Sequence, residues 1–335
     1  MSLSDYWYIA APSAALRRKP LRAQVDTETL VLWRDDRGEV FALRDQCAHR
    51  GAPLSLGNRV DGCLECPYHG WRWNGAGALC HVPALADGRP LPAARVPALP
   101  VAEQDGYLWV VPSGRPPESP PPRFPHYRER GWTSFRMQTR FAGTVEECIE
   151  NFLDVPHTVF VHRGWFRTHD PRKTTALVRG TENGVEAVFE NEPVAASLVT
   201  KLFFPKDRAL RHTDRFILPN LSRVDYDFGP DWHFIITSQC TPQGDETLVH
   251  TVITFRAGRL GPVVRLGFEP MSRRIIRQDV NLIRALAGQR RRFSTERFLR
   301  AETDLLGGHI RDLRNAAASG EPLPVIPESL VPIRF

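Results

Sequence analysis

The sequence lacks the long apolar runs and dense charge blocks of membrane and nucleic-acid-binding proteins. No run of about 18 uncharged apolar residues occurs, so we expect no membrane-spanning helix. The net charge is only +6, and the densest basic spot, residues 290–292, has the length of a solvated helix end. The N-terminal apolar stretch precedes its positive charges, which is the reverse of a secretion signal. These features predict a cytoplasmic protein with no nucleic-acid partner.

Cysteine is also scarce. The six cysteines are spread over 335 residues, at positions 47, 63, 66, 80, 148 and 240. This spacing does not form a dense disulfide framework, and in a cytoplasmic protein it favours metal ligands.

The chain is long enough for two domains. Short β-prone runs separated by turns fill residues 1–112, including TLVLWR, VFAL and YLWVV, with two-residue hairpin loops expected at Asp61-Gly62 and Asn74-Gly75. The proline-rich segment 113–129 predicts a linker. Residues 130–335 predict a mixed α+β domain, with a helix near 143–162, strands over about 172–258 and helices over about 270–316.

Two short loops of the first domain each offer one thiol and one imidazole, Cys47-x-His49 and Cys66-x-x-His69. A structural zinc site usually takes its cysteines from one loop and its histidines from another. One ligand of each kind per loop suits a two-iron, two-sulfide cluster, in which cysteines hold one iron and histidines the other. Cys63-x-x-Cys66 could also be a redox dithiol, but such a motif usually lies in a βαβ unit.

CAHRG and CPYHGW together resemble the paired motifs of Rieske oxygenases. Respiratory Rieske proteins have an additional cysteine in each loop, where this chain has Ala52 and Tyr68. The resemblance implies that Cys47, His49, Cys66 and His69 hold a [2Fe-2S] cluster. We expect Tyr68 and Trp71 to pack over the cluster.

The second domain contains EECIENFLDVPHTVFVH, residues 146–162. Histidines five apart differ by roughly 140° on a straight helix, but Pro156 must start, kink or interrupt that helix. The stretch resembles the iron motif of Rieske oxygenases, which implies that His157 and His162 are iron ligands. The family also implies that Asp154 links an iron-bound histidine to His69 of a neighbouring subunit, within a homotrimer.

A third iron ligand is expected on the helix over residues 271–286. Asp279 lies on its apolar stripe, where a carboxylate is costly unless a cation pairs with it. Mononuclear iron would supply that charge and complete a facial triad. The alternatives are a salt bridge from Asp279 to Arg274 or Arg277, and Asp304 as the ligand instead.

The resemblance implies an all-β Rieske domain followed by a helix-grip domain, an antiparallel sheet around a long helix. It implies a terminal oxygenase that uses O2 on an apolar cyclic small molecule, with monooxygenation or demethylation favoured over dihydroxylation. No flavin or nicotinamide fingerprint occurs, so electrons from NAD(P)H would arrive through a separate flavin reductase or a ferredoxin. An electron-transfer or ligand-binding protein with no working iron site is the alternative, and a zinc-stabilised protein is a third. The pocket is expected within residues 165–260, and His212, Asp225, Asp227 and Trp232 are weaker candidates for its lining.

Overall fold

The computed structural model describes residues 2–116, 118–165, 173–190, 192, 208–258, 260–293 and 299–334. Two units divide the chain, Ser2–Arg123 and Phe124–Phe335. The division falls inside the proline-rich segment 113–129. Parts of the expected strand region and pocket region, residues 166–172, 191 and 193–207, lie outside the described residues.

The first unit is built from three small antiparallel sheets. Their strand orders are β2-β3-β4-β9, β1-β11-β10 and β5-β6-β7-β8, and the strands are β1 Tyr8–Pro12, β2 Leu21–Val25, β3 Glu28–Arg34, β4 Val40–Arg44, β5 Asn58–Val60, β6 Cys63–Glu65, β7 Arg72–Trp73, β8 Leu79–His81, β9 Ala98–Leu99, β10 Val101–Gln104 and β11 Tyr107–Val110. The three predicted strands TLVLWR, VFAL and YLWVV are confirmed as β3, β4 and β11.

Strand β3 separates two hydrophobic cores. Leu30 and Leu32 point into one core, whereas Val31 and Trp33 point into the other, as the two-residue period of a strand requires. The second core also contains both cysteines of the predicted cluster loops. The packing of β3 therefore helps to fix the base of those loops.

One of the two predicted hairpin turns is wrong. Asp61 and Gly62 join β5 to β6 with φ values of 50° and 72°, as expected for a two-residue turn. By contrast, β7 ends at residue 73 and β8 begins at residue 79, so Asn74-Gly75 only starts a longer loop. The Asn74 side-chain oxygen accepts hydrogen bonds from two backbone N–H groups of this loop. Gly77 has the positive φ of 74°, and a side chain there would meet the carbonyl of Val96.

The second unit is an eight-stranded antiparallel sheet with helices packed against it. Its strand order is β12-β18-β17-β16-β15-β14-β13-β19, and its elements are β12 Thr133–Phe141, α1 Val145–Leu153, α2 His157–Val161, β13 Lys173–Thr181, β14 Gly184–Phe189, β15 Arg211–Ile217, β16 Leu221–Asp227, β17 Trp232–Gln243, β18 Glu246–Ala257, α3 Gly261–Phe293, α4 Gly307–Ser319 and β19 Ser329–Arg334. The long helix α3 contacts β12 and β18, and α1 contacts β15, β16 and β17.

The expected fold class, an all-β domain followed by an antiparallel sheet with a long helix, is confirmed. The helix boundaries differ from the expectation. Helix α3 begins at residue 261 instead of about 270 and continues through Pro270. The stretch 143–162 contains two helices, because the chain leaves helical geometry at Asp154 and restarts after Pro156. No helix in the described part of the chain combines the length and apolarity needed to cross a membrane.

Candidate metal centres

The two cysteine–histidine loops of the first unit have the same backbone geometry. Each cysteine N–H donates to the carbonyl five positions later, at 2.9 Å from Cys47 and 2.8 Å from Cys66. Each cysteine carbonyl accepts from the glycine four positions later, Gly51 at 2.8 Å and Gly70 at 3.1 Å. Both glycines have positive φ, 74° and 69°, which a residue with a side chain adopts only with strain. The two cysteines therefore begin tight turns with the same hydrogen-bond pattern.

The four predicted cluster ligands lie together. Cys47 and Cys66 are 2% and 3% exposed. The rings of His49 and His69 lie with their centroids 4.6 Å apart. Burial raises the pKa of the Cys47 thiol, and the adjacent Cys66 thiol raises it further. Two buried thiols beside two imidazoles form a donor set that suits an iron–sulfur cluster.

A free hydrogen-bonding atom supports this fit. The Nδ1 atom of His49 is buried and has no hydrogen-bond partner among the described residues. An imidazole nitrogen in that position is costly unless something binds it. A metal ligated by His49 would satisfy that nitrogen.

The two aromatic residues of the second loop differ in their exposure. Trp71 stacks on His49, with ring centroids 4.3 Å apart and an angle of 3°. Tyr68 contacts His69, with centroids 3.9 Å apart, but is 62% exposed. Both rings therefore lie against a histidine of the predicted cluster site, but Tyr68 leaves more than half of its surface open to solvent.

The second candidate centre lies where α1 ends and α2 begins. A capping box starts α1, in which the Thr144 hydroxyl accepts from the Glu147 N–H and the Glu147 carboxylate accepts from the Thr144 N–H. Asp154 ends this helix in an extended conformation, and Pro156 precedes α2. The break turns the chain so that His157, the first residue of α2, and His162, just beyond its end, face each other. Their Nε2 atoms lie 3.3 Å apart.

Asp279 reaches the same point from the middle of α3. Its Oδ1 atom lies 3.2 Å from Nε2 of His162 and 3.6 Å from Nε2 of His157. Three ligand atoms at right angles around one ion, each about 2.1 Å away, would lie about 3 Å apart. The Asp279 side chain is buried, and this oxygen has no aligned hydrogen-bond donor in the part of the chain that the structure describes. The three residues therefore fit a facial metal site.

Both histidines are held by their other ring nitrogen. Nδ1 of His157 hydrogen-bonds the backbone carbonyl of Asp154, and Nδ1 of His162 lies 2.9 Å from the side-chain oxygen of Gln278. Because both partners can only accept, each Nδ1 carries the proton and each Nε2 is left to bind a metal. Sequence reasoning missed Gln278, because neighbouring positions on a helix point in different directions. Gln278 joins the site only because it contacts Nδ1 of His162, whereas Asp279 contacts Nε2 of the same ring.

The charges of this site favour a cation. Burial raises the pKa of the Asp279 carboxyl, but its contacts with His157 and His162 outweigh burial and lower it. Burial lowers the pKa of His157, but Asp279 outweighs that effect and raises it. Asp279 and His157 thus favour each other's charged forms, and a divalent cation at this point would compete with the proton.

Arg274, considered as a salt-bridge partner of Asp279, and Asp304, considered as the ligand in its place, both make other contacts. Arg274 lies over the ring of Trp165, 4.9 Å from its centroid, and Asp279 faces the histidines. Asp304 is exposed and accepts from the N–H of Ala301 at 2.9 Å. It lines a cavity of about 530 Å³ between α1, α3 and α4.

Asp154 lines the same cavity as Asp304. Its carboxylate lies 3.8 Å from Nδ1 of His157. Burial raises the pKa of the Asp154 carboxyl, and the nearby His157 partly offsets this. The carboxylate therefore lies beside one predicted iron ligand without occupying the metal position.

A second cavity of about 130 Å³ adjoins the three metal-site residues, between the sheet and α3. Its walls are mostly apolar, and the hydroxyl-bearing residues that line it include Ser222, Ser238 and Thr251. The hydroxyls of Ser238 and Thr251 lie 2.9 Å apart. Sequence reasoning missed these residues, because the sequence does not show whether a serine or threonine in a strand faces a cavity or packed side chains.

None of the four weaker lining candidates contributes to this cavity among the described residues. Along β16, Val224 and Tyr226 line it, so Asp225 and Asp227 face the opposite side of the sheet. His212 is buried behind the cavity, stacked on Tyr226, and bonds Glu192 at 2.7 Å and Asp214 at 3.0 Å. The ring of Trp232 packs 6.3 Å from that of Phe234.

Comparison with known families matches both units. Residues 6–100 match the model of the Rieske [2Fe-2S] domain. Residues 141–319, more than half of the chain, match the vanillate O-demethylase oxygenase C-terminal domain. The two matches cover both candidate metal centres.

Individual relatives are similar over part of their length. Chlorophyllide a oxygenase of Chlamydomonas reinhardtii is 38% identical over 169 residues, 49% of this chain and 26% of the relative. The oxygenase component of dicamba O-demethylase of Stenotrophomonas maltophilia is 36% identical over 162 residues, 47% of each chain. The chain thus spans less than half the length of these relatives. The structure of dicamba monooxygenase bound to 3,6-dichlorosalicylic acid has the same fold, with a TM-score of 0.80 at 21% identity over 95% of this chain and 98% of that one.

Proposed function

This chain belongs to the Rieske oxygenase family, and we propose that it is the terminal oxygenase of a multicomponent system. The observation that carries the proposal is the convergence of His157, His162 and Asp279 on one point beside an apolar cavity. A cluster alone transfers electrons, whereas a two-histidine, one-carboxylate iron site leaves positions open for O2. When bound, this iron would supply O2 activation, and the [2Fe-2S] cluster would supply electrons to it.

The residues of the chain would have distinct roles. Cys47, His49, Cys66 and His69 would hold the cluster, and Trp71 would orient His49 by stacking on it. Hydrogen bonds to Asp154 and Gln278 orient the two iron-binding imidazoles and keep their protons on Nδ1. Burial of the Asp279 carboxylate keeps water from solvating it, so the carboxylate would be available to the iron.

The electron path would run between subunits. Asp154 lies beside His157 and also lines the large cavity bounded by α1, α3 and α4. We infer that its carboxylate accepts a hydrogen bond from His69 of a neighbouring subunit, within a ring-shaped homotrimer. The electrons would come from an NAD(P)H-dependent flavin reductase, directly or through a ferredoxin.

The cavity beside the iron site indicates the substrate class. Met137, Val224, Ile253 and Phe268 are among its apolar walls. Such a lining suits an apolar cyclic molecule, and the hydroxyls of Ser238 and Thr251 suit one polar oxygen on it. We therefore propose hydroxylation or oxidative demethylation of a ring compound bearing a hydroxyl, ether or carbonyl group.

A single-turnover experiment tests this function. The iron-loaded protein is reduced, freed of reductant and exposed to ¹⁸O2 with a panel of neutral methoxy- and methyl-substituted ring compounds. We expect an oxygen-labelled product, or formaldehyde from a methoxy compound, and neither from the Asp279→Asn variant. Failure of the whole panel in protein with both centres filled would contradict the proposed substrate class.

A further inference from the structure

The first unit contains a second pair of cysteines close to the predicted cluster. Cys63 begins β6, Cys80 lies in β8, and β7 runs between these two strands. The pairing of β7 with β8 shifts register at Cys80, so Cys80 is the extra residue of a bulge. Their Sγ atoms lie 2.6 Å apart. The two sulfur atoms face each other, so a bond between them requires no rearrangement of the strands.

These two cysteines are not part of the cluster site. Cys47 and Cys66 are buried there, whereas Cys80 is exposed and Cys63 is half-buried. The thiol of Cys80 also contacts the carbonyl of Arg72 on β7, at 3.1 Å. The Cys63-x-x-Cys66 pair in the sequence is therefore divided in the fold, with one member in each of two sites.

The position of the pair relates it to the cluster. The loop that carries Cys66 and His69 leaves β6 and returns along β7. A bond between Cys63 and Cys80 would close a covalent ring over residues 63–80, which contains this loop. It would also link β6 to β8, the two strands on either side of β7.

We propose that Cys63 and Cys80 form a reversible disulfide that locks the second cluster loop. The oxidant is a small disulfide such as oxidised glutathione. One protein thiolate attacks it, releases one small thiol and forms a mixed disulfide; the second protein thiol then displaces the other small thiol. The two cysteine sulfurs are oxidised, one small disulfide is reduced to two thiols, and the two cysteine protons end on those thiols.

The disulfide restricts the conformations that the loop can reach when it opens. Release of the cluster requires such opening, because the ligand Cys66 is buried at the base of the loop. The locked form should therefore lose its cluster more slowly than the dithiol form. This consequence depends on the cluster site and not on oxygenase activity.

The test compares cluster-loaded protein equilibrated with oxidised glutathione and with a phosphine reductant. Free thiols are then blocked under denaturing conditions, and tryptic peptides are sequenced by mass spectrometry. We expect a bond between peptides 60–72 and 73–95 in the oxidised sample, assigned by fragmentation to Cys63 and not to Cys66. The Cys63→Ser and Cys80→Ser variants should lack it. No bond, or a bond through Cys66, would overturn the proposal.

A second readout measures the effect of the lock. A ferrous chelator is added, and loss of the visible absorbance of the cluster is followed. We expect the oxidised protein to bleach on the order of tenfold more slowly than the reduced protein, with no such difference in either serine variant. Equal rates in a sample with the confirmed Cys63–Cys80 bond would overturn the locking role.

Discussion

The Nδ1 atom of His162 lies 2.9 Å from the side-chain oxygen of Gln278, the residue before Asp279 on α3. One short segment of this helix therefore supplies both a proposed metal ligand and the group that orients another proposed ligand. A shift of α3 would change both together, which makes the helix the element that sets the geometry of the iron site.

Replacement of Gln278 by leucine should weaken iron binding at the mononuclear site. Leucine keeps the approximate size but cannot accept a hydrogen bond from Nδ1 of His162. Loss of such a partner typically lowers metal affinity or activity about 10- to 100-fold. Iron titration of the mononuclear site measures the affinity, and cluster absorbance should not change. Gln278→Glu keeps an acceptor and is the matched control. Wild-type affinity in the leucine variant would contradict the orienting role.

Replacement of Asp154 by asparagine should slow turnover without loss of either centre. The carboxylate lies beside His157 but outside the metal position, so its charge serves the proposed link between subunits. We expect steady-state turnover to fall about 10- to 100-fold while iron content stays constant. Asp304→Asn, in the same cavity, is the control and should behave as wild type. Iron loss that parallels the loss of turnover would point instead to a role in metal binding.

Loss of the cavity hydroxyls should raise KM more than it lowers kcat. Ser238→Ala and Thr251→Val each remove one polar group, worth about 1 kcal/mol in a hydrogen bond, or roughly a fivefold rise in KM for a substrate with a polar oxygen. Thr254→Val is the matched control, because the alternation of β18 directs Thr254 away from the cavity. An equal rise in KM with the control would contradict a contact between these hydroxyls and the substrate.

The buried triad of Glu192, His212 and Asp214 should make stability depend on pH. Burial lowers the pKa of His212, but the two carboxylates outweigh it and raise the pKa to about 9. The contribution of His212 to the free energy of unfolding is therefore fully present below its unfolded pKa of about 6.5 and is lost as pH rises through about 9. This contribution is on the order of 3 kcal/mol. Urea unfolding from pH 6 to pH 10 measures this loss. The Asp214→Asn variant should show a smaller loss, and an identical pH dependence would contradict the assignment.

The sequence indicated most of the candidate ligands because their motifs are local. Cys47, His49, Cys66 and His69 lie in two short loops whose glycines fix the turns, and Asp279 was found from its place on an apolar stripe. The Asn74-Gly75 turn failed because the asparagine side chain bonds two later N–H groups and lengthens the loop. Gln278, Ser238 and the Cys63–Cys80 contact depend on packing between distant segments, which no local pattern encodes.

We propose that His157, His162 and Asp279 hold a ferrous iron in a chain that also carries a Rieske cluster. The most direct measurement is the EPR spectrum of the reduced, iron-loaded protein under anaerobic conditions, before and after addition of nitric oxide. We predict a Rieske signal in both spectra and a high-spin ferrous-nitrosyl signal after the addition, with the nitrosyl signal absent in Asp279→Asn. A Rieske signal without any nitrosyl signal in fully iron-loaded protein would contradict the claim and indicate an electron carrier.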